Sequence, residues 1–322
     1  MSHAMFQSVP VARFYNDQIL IYNTFLDGGY RSDRQRENEK NLTRGQYNGF
    51  MSPKTRSKVK RYLSTWIQAC NKIKSTPHQE KLDKIPYFTF VTLTLPASQE
   101  HTDQEIKRKL LTPFIATLQR KFNVWHYFWR AEAQKNGNIH FHLIVDSFID
   151  HRELRKEWNQ KCNSLNYVDR FKVVFGHSNP NSTDIHSFKS INSPESYVIK
   201  YCCKSDGYRR IEGRIHGCSD GMRNLRPYEE IMIDDIERMV ERLQKDKDCI
   251  VINDPEFTII RCSVRQKINQ YNPSLAKKIT KYNYAISQQL YKITQLEQVT
   301  QILEKAVRKK LIQLEMFAPC PF

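Results

Sequence analysis

The amino-acid sequence predicts an α+β fold in which helices pack on an antiparallel sheet. The first observation is that, in the middle of the chain, segments rich in β-branched and aromatic residues alternate with segments of helical periodicity. Their order is strand–helix–strand–strand–helix–strand–helix. The second observation is a turn signal, Lys135-Asn-Gly-Asn138, between two of the strand segments, which favours an antiparallel hairpin.

The chain divides into three expected regions. Residues 1–84 form a basic N-terminal region that is polar and irregular to about residue 50, with one helix at about 52–75 that begins at Ser52-Pro53. Residues 85–250 contain the alternating strands and helices. Residues 251–322 form a basic, mostly helical C-terminal region, and its apolar stripe from about residue 273 favours core packing or self-association.

Each element of the central region has a local signal. The predicted elements are a strand at 87–96, a helix at about 103–122, strands at 124–134 and 139–146, a helix at 151–163, a strand at 183–191 and a helix from 193. Pro96 closes the first strand because proline cannot donate to a strand ladder. Ser193-Pro194-Glu195 starts the last helix with a capping hydroxyl, a first-turn proline and an early acid.

Composition narrows the class of partner and the compartment. The formal net charge is +17, which predicts a polyanionic partner such as nucleic acid, because Lys and Arg displace the counterions of phosphates. No apolar run reaches the roughly 18 residues that a membrane span needs, and the N-terminus lacks a secretory signal pattern. The eight cysteines include no CxxC pair, which favours reduced thiols in a bacterial or host cytoplasm over a disulfide framework or a zinc ribbon.

The segment "IHFHLIVD" places two histidines on one face of a strand. Alternation sends Ile139, Phe141 and Leu143 to one face and His140 and His142 to the other. The two imidazoles then lie roughly 6.5–7 Å apart along the strand, near enough to bind one cation. The alternative interpretation is a pair of partly exposed strand residues.

Glu132, on the preceding strand, is the candidate third ligand, and the length of the turn decides its face. A two-residue loop at Asn136-Gly137 would place Glu132 opposite Phe141, on the wrong face. A three-residue loop over 136–138, or a bulge, places it opposite His142. Two imidazoles and one carboxylate without a thiolate suit Mn²⁺ or Mg²⁺, and zinc is also chemically possible.

The segment "YVIKYCCK" has two tyrosines and two lysines at helical spacing. On a helix, Tyr197, Lys200, Tyr201 and Lys204 share one face. One interpretation is the polar stripe of an amphipathic helix. The other is a pair of nucleophiles with lysines set among them.

Three segments in order, "FVTLTLP", "GNIHFHLIVD" and "YVIKYCCK", resemble the three motifs of HUH endonucleases. The similarity is closest to the two-tyrosine rolling-circle replication initiators of small single-stranded DNA phages and related replicons, and it covers roughly residues 85–230. Two departures stand out. His216 precedes Gly217 where an aromatic residue is more usual, and no GxxxxGK phosphate loop exists, so the helicase domain fused to some initiators is absent.

The resemblance implies a ferredoxin-like antiparallel sheet, the type also found in RNA-recognition domains, with the tyrosine helix over its metal face. It implies an endonuclease domain at 85–250 that binds Mg²⁺ or Mn²⁺ and nicks single-stranded origin DNA, forming a 5′-phosphotyrosine and a free 3′-OH, and later rejoins the ends. Origin DNA, a host helicase and a polymerase are the implied partners. The implied metal ligands are His140, His142 and Glu132, the implied nucleophiles are Tyr197 and Tyr201, and the implied assisting residues are Lys200 and Lys204.

Other functions and weaker contacts stay open at this point. An HUH transposase or relaxase would use the same chemistry. A non-catalytic nucleic-acid-binding module would bind without cutting, and a metal-dependent hydrolase would use water as the nucleophile. Four further side chains are candidate DNA contacts or ordinary strand residues: Thr92, Thr94, Arg130 and His186.

Overall fold

The computed structural model describes residues 8–25, 50–73, 82–187 and 208–292. The strands are β1 Ser8–Phe14, β2 Gln18–Phe25, β3 Thr89–Leu93, β4 Tyr127–Ala133, β5 Ile139–Val145, β6 Thr183–Ser187, β7 His216–Cys218, β8 Tyr228–Ile231, β9 Ile250–Asn253 and β10 Phe257–Arg261. The α-helices are α1 Pro53–Ile73, α2 Asp103–Ile106, α3 Thr112–Lys121, α4 His151–Asn163, α5 Tyr167–Phe175, α6 Asp234–Lys245, α7 Val264–Tyr271 and α8 Pro273–Tyr291. None of the helices in these ranges is long and apolar enough to cross a membrane.

The first sheet, called sheet I here, has the strand order β6-β3-β5-β4-β7, and every neighbouring pair is antiparallel. Its first four strands follow one another as β-α-β-β-α-β, the ferredoxin-like arrangement. The predicted α+β class is confirmed. The strand that carries His140 and His142 is β5, which lies in the centre of the sheet.

The helix predicted at about 103–122 begins as expected but is interrupted. Thr102 caps α2 with a reciprocal pair of bonds, because its hydroxyl accepts from Glu105 N–H and the Glu105 carboxylate accepts from Thr102 N–H. A π-helical turn at Lys107–Leu111 then separates α2 from α3. The sequence pattern contains no proline or glycine that signals this turn.

Opposite faces of sheet I pack against different helices. On one face, Phe141 lies against Trp158 of α4, with ring centroids 6.3 Å apart, and Phe114 of α3 lies 5.1 Å from the same indole. On the histidine face, Tyr62 of α1 lies 6.0 Å from Phe128 of β4. Helix α1 therefore covers one end of the histidine face with apolar side chains.

Helices from the two terminal regions form one layer on sheet I. The indole N–H of Trp66 in α1 donates to the hydroxyl of Tyr291 in α8 over 2.8 Å, and both side chains are fully buried. The hydroxyl of Ser287 in α8 donates to the Ala69 carbonyl in α1 over 2.7 Å. The two helices are thereby tied to each other as well as to the sheet.

The second sheet, sheet II, has the order β8-β1-β2-β10-β9. Its core is apolar: Ala12, Phe14, Ile19 and Ile260 pack against side chains of α6, α7 and α8. The irregular structure expected to about residue 50 is wrong for 8–25, which form a hairpin around Asn16-Asp17, and the mostly helical region expected from 251 begins with strands. Sheet II joins strands more than 200 residues apart in sequence, which local periodicity does not reveal.

The predicted terminal helices are present as α1 and α8, while sheet II takes strands from all three expected regions. The region boundaries at 84/85 and 250/251 stay predictions. The helical stripe expected beyond residue 292 lies outside the described residues.

Candidate metal centre

The β4–β5 hairpin sets the register of the candidate ligands. Gln134 N–H donates to the Asn138 carbonyl over 2.8 Å, so the loop has three residues, 135–137. Gly137 lies in it with φ +85°, a conformation that glycine adopts without strain. The odd loop length predicted from the sequence is present, but the loop lies one residue earlier, and Glu132 is opposite His140 instead of His142.

The three predicted ligands meet at one point. Glu132 Oε1 lies 2.8 Å from His140 Nε2 and 2.9 Å from His142 Nε2. The candidate ligand atoms of the three residues all lie within 4.8 Å of one another. Because all three side chains project from adjacent strands, the sheet itself holds this arrangement.

The surroundings of the three side chains fit a divalent cation. Thr92 Oγ1 lies 3.2 Å from His142 Nδ1, so the hydroxyl can accept from Nδ1–H, the tautomer that leaves the Nε2 lone pair free for a cation. Among the described residues, Glu132 Oε2 and His140 Nδ1 are buried without a hydrogen bond. Two neutral imidazoles and one carboxylate are a suitable donor set for Mn²⁺ or Mg²⁺.

The protonation states favour ligation near neutral pH. Burial raises the pKa of the Glu132 carboxyl, but hydrogen bonds from His140 and His142 lower that pKa more strongly, so it lies well below its usual range. Burial lowers the pKa of His142, and the bond to Glu132 offsets this only in part. Glu132 is therefore ionised and His142 neutral at pH 7, the forms that bind metal.

Arg130 stands beside this cluster and is buried. Only 3% of its surface is exposed, and its guanidinium nitrogen lies 4.0 Å from Glu132 Oε2. Direct contact of Arg130 with DNA, one interpretation of the sequence, is therefore not supported by this structure. The position suits an electrostatic role, in which the guanidinium holds the ionised carboxylate on the histidine face.

The other candidate DNA contacts are placed as follows. Thr92 and Thr94 are partly exposed and line a cleft of about 450 Å³ together with Asp184 and Arg155. The hydroxyl of Thr94 donates to the Ser182 carbonyl over 3.1 Å. His186 lies on β6 opposite Phe90. A role of Thr92, Thr94 and His186 in binding DNA stays a prediction.

The four residues of the tyrosine motif, Tyr197, Lys200, Tyr201 and Lys204, lie outside the described residues. Their roles stay predictions. The chain is described again from Tyr208, whose neighbour Arg209 contacts the histidine hairpin.

A buried ion pair next to the hairpin was not anticipated from the sequence. Arg209 donates two bonds to the Asp103 carboxylate, over 2.6 and 2.7 Å, and a third to the Gly137 carbonyl over 2.7 Å. Asp103 is only 2% exposed. Burial raises the pKa of its carboxyl, but bonds from Arg209 and Gln99 lower it more, so Asp103 is ionised. From the sequence, Asp103 marks only a helix start.

Amide side chains extend this network along the hairpin. The Asn138 side chain accepts from Gln99 N–H and donates to the Ala97 carbonyl, each over 2.9 Å. The Gln99 side-chain oxygen in turn accepts from Ile139 N–H over 2.6 Å. The turn that leads into the histidine strand is thus held by side chains from three separate segments.

Comparison with known families then identifies the central part of the chain. Residues 88–206 match the family model of the replication-associated protein ORF2. The match contains the histidine hairpin and the tyrosine motif, and it is consistent with a rolling-circle Rep family, so the resemblance inferred from the three motifs is confirmed over this segment. Searches of curated proteins and of solved structures each found no match.

Proposed function

We propose that this protein is a replication initiator that nicks single-stranded DNA at an origin by tyrosine attack assisted by a divalent cation. The observation that carries the proposal is the convergence of Glu132, His140 and His142 on one face of a central strand, within the segment that matches the replication-associated family. The printed family description favours replication over transposition. The same convergence argues against a module that only binds nucleic acid.

The proposed reaction keeps the energy of the broken phosphodiester in a covalent intermediate. The phenolate oxygen of Tyr197 or Tyr201 forms a bond to phosphorus, the P–O3′ bond breaks, and the departing oxygen takes a proton to become a 3′-OH. The product is a 5′-phosphotyrosine. Attack by a 3′-OH on that phosphotyrosine reverses the step and rejoins DNA ends.

The nucleophile needs help to ionise. With a pKa near 10, a tyrosine is only about a thousandth ionised at pH 7, which corresponds to about 4 kcal/mol. Lys200 and Lys204, one turn away on the same predicted helix face, lower this cost by stabilising the phenolate. When bound, a divalent cation supplies charge that polarises a non-bridging phosphate oxygen and stabilises the departing 3′ oxygen.

The site residues divide the remaining work. Glu132, His140 and His142 hold the cation, and Thr92 orients the His142 ring. Two tyrosines on one helix face let the second attack while the first still carries DNA. Strand separation and synthesis require other proteins, a helicase and a polymerase, because the chain contains no phosphate-loop motif.

Covalent capture tests this function. The purified protein is incubated with single-stranded origin DNA and Mn²⁺, and adducts that survive SDS are mapped by mass spectrometry. We expect an adduct on Tyr197 or Tyr201 that is lost when both are changed to Phe. We expect Glu132→Gln to lower the adduct yield at least ten-fold, while the exposed control Glu256→Gln leaves it unchanged.

Two outcomes would contradict the proposal. If DNA is cut without an adduct, water is the nucleophile. If DNA is bound equally with and without Mn²⁺ and is never cut, the protein is a binding module. Titration calorimetry with Mn²⁺, Mg²⁺ and Zn²⁺ separately identifies the preferred ion.

A further inference from the structure

A cavity of about 750 Å³ lies far along the chain from the histidine hairpin, between the β1–β2 turn and helices α1, α7 and α8. None of the three metal-ligand candidates lines it, and it is outside the segment that matches the replication-associated family. Its volume is in the usual range of small-ligand sites. The proposed nicking reaction makes no use of it.

A buried amide faces into this cavity. Asn283 of α8 is only 2% exposed, and within the described part of the chain its Oδ1 accepts no hydrogen bond. The backbone carbonyl of Asn283 is occupied, because it accepts from the Ser287 hydroxyl over 2.9 Å. Exchanging the amide oxygen and nitrogen would still leave a buried polar atom at this position. A bound molecule that carries hydrogen-bonding groups would satisfy it.

The charges at the rim of the cavity are all positive. Arg265, Lys277 and Lys281 are exposed lining residues, and no Asp or Glu is among the described residues that line the cavity. Lys278, beside Lys277 but outside the lining, has a carboxylate partner, since its Nζ lies 2.9 Å from Glu230 Oε1. No such ion pair joins Lys277 or Lys281 to another described residue. The rim therefore selects an anion.

The interior selects a flat, partly apolar body. Phe14, Tyr15 and Tyr284 line it together with Ile279, and the side-chain amide of Gln68 adds a second polar group beside Asn283. Aromatic rings stack on nucleobases of any sequence, and amides pair with their polar edges. A cationic rim, an aromatic interior and a buried amide together match the chemistry of a nucleoside phosphate.

We infer that this cavity binds a nucleoside phosphate, with the phosphate at Lys277, Lys281 and Arg265 and the base near Asn283. The ligand is an unstacked nucleotide of the DNA strand, held away from the scissile phosphate. Only this choice of source rests on the proposed function. A free mononucleotide has the same chemistry, and the experiment distinguishes the two.

Binding is measured on the complete protein in EDTA, so that the metal centre does not contribute phosphate contacts. Single-stranded DNA and deoxynucleoside 5′-monophosphates are titrated separately. For the double variant Lys277→Ala/Lys281→Ala we expect about ten-fold weaker DNA binding and a slope of log affinity against log salt that is smaller by about two. The matched control Lys278→Ala should change the affinity less than two-fold.

Asn283→Leu tests the base end of the site. We expect it to weaken mononucleotide and DNA binding, and a thermal melt of each variant verifies folding. Because the lysines are exposed, their double variant keeps the test valid even if Asn283→Leu does not fold. Mononucleotide binding that depends on Asn283 supports the site for free nucleotides also, and binding of DNA alone restricts the source to a strand.

Photocrosslinking of DNA that carries 5-iododeoxyuridine locates the ligand independently. We expect crosslinked peptides that contain Tyr15 or Tyr284. Crosslinks only elsewhere, together with a lysine double variant that behaves like Lys278→Ala, would overturn the inference. Since this test needs no cleavage, a protein that fails to form an adduct could still pass it, and the two proposals fail separately.

Discussion

At the scale of single residues, His216 occupies a position where the resembled family more usually has an aromatic side chain. It lies on β7 opposite Arg130, and its ring centroid is 6.3 Å from that of Phe128. Its Nδ1 is buried and has no hydrogen bond among the described residues. Burial, followed by the charges of Arg214, Arg130 and Lys58, lowers its pKa to about 4.

This environment predicts a loss of stability in acid. The unfolded chain binds a proton at His216 near pH 6.5, whereas the folded protein binds it only near pH 4. The stabilising contribution is therefore complete above pH 6.5 and declines as the pH falls toward 4, by about 3 kcal/mol at most. We expect His216→Phe to remove this component, because a phenyl ring fills the same space without a titrating group.

Urea unfolding at pH 7 and pH 4.5 measures the effect. Between these values the wild-type protein should lose about 2 kcal/mol more of its unfolding free energy than His216→Phe does. The exposed His151 supplies the control, since His151→Asn should follow the wild type. Equal losses in wild type and His216→Phe would show that the ring is not held neutral in the folded state.

At the scale of elements, the β4–β5 hairpin is positioned by contacts outside the hairpin. Arg209 reaches the turn directly through the Gly137 carbonyl and is itself held by the buried carboxylate of Asp103. Glu132 and His140 lie on the two strands that this turn joins. A displaced turn would therefore shift one ligand relative to the other.

We expect Arg209→Lys to weaken Mn²⁺ binding about ten-fold, although Arg209 is not a ligand. Lysine keeps the charge but loses the two-pronged geometry that matches the Asp103 carboxylate. The unfolding free energy should also fall, by about 1–2 kcal/mol. Titration calorimetry with Mn²⁺ measures the first effect and urea unfolding the second.

The exposed Arg152 is the matched control, and Arg152→Lys should alter neither quantity. A variant Arg209→Lys that loses stability but binds Mn²⁺ with unchanged affinity would assign the ion pair to folding alone. An unchanged affinity would also mean that the strand ladder is sufficient to hold the ligands.

At the scale of the whole molecule, the two terminal regions are part of the structure that supports the site. Helix α8 meets both α1 and the lead-in to β4, since His126 Nε2 lies 2.7 Å from the Leu290 carbonyl and the Tyr291 ring stacks near Trp125. Burial raises the pKa of Tyr291 well above its usual value, so its hydroxyl is neutral and accepts from Trp66.

Tyr291→Phe should lower the unfolding free energy by about 1–2 kcal/mol, because the buried indole N–H of Trp66 loses its acceptor. The ring itself is retained, so packing is unchanged. The melting temperature is compared with that of Tyr208→Phe, in which the altered side chain is 67% exposed. Equal melting temperatures would mean that α8 contributes little to the cooperative unit.

The sequence by itself determined those features that depend on near neighbours in the chain. Alternation assigned His140 and His142 to one strand face, an odd turn length was required for Glu132 to join them, and local caps located the starts of α1 and α2. These signals are local because side-chain direction has a period of two in strands and because capping uses residues three apart.

Tertiary structure decided everything that depends on which distant segments meet. It set the register that pairs Glu132 with His140, made sheet II from β1, β2, β8, β9 and β10, and joined Asp103 to Arg209 across 106 residues. It also buried Arg130 and opened the cavity beside Asn283. Periodicity cannot anticipate these contacts, because each results from packing complete elements together and not from the spacing of residues within one element.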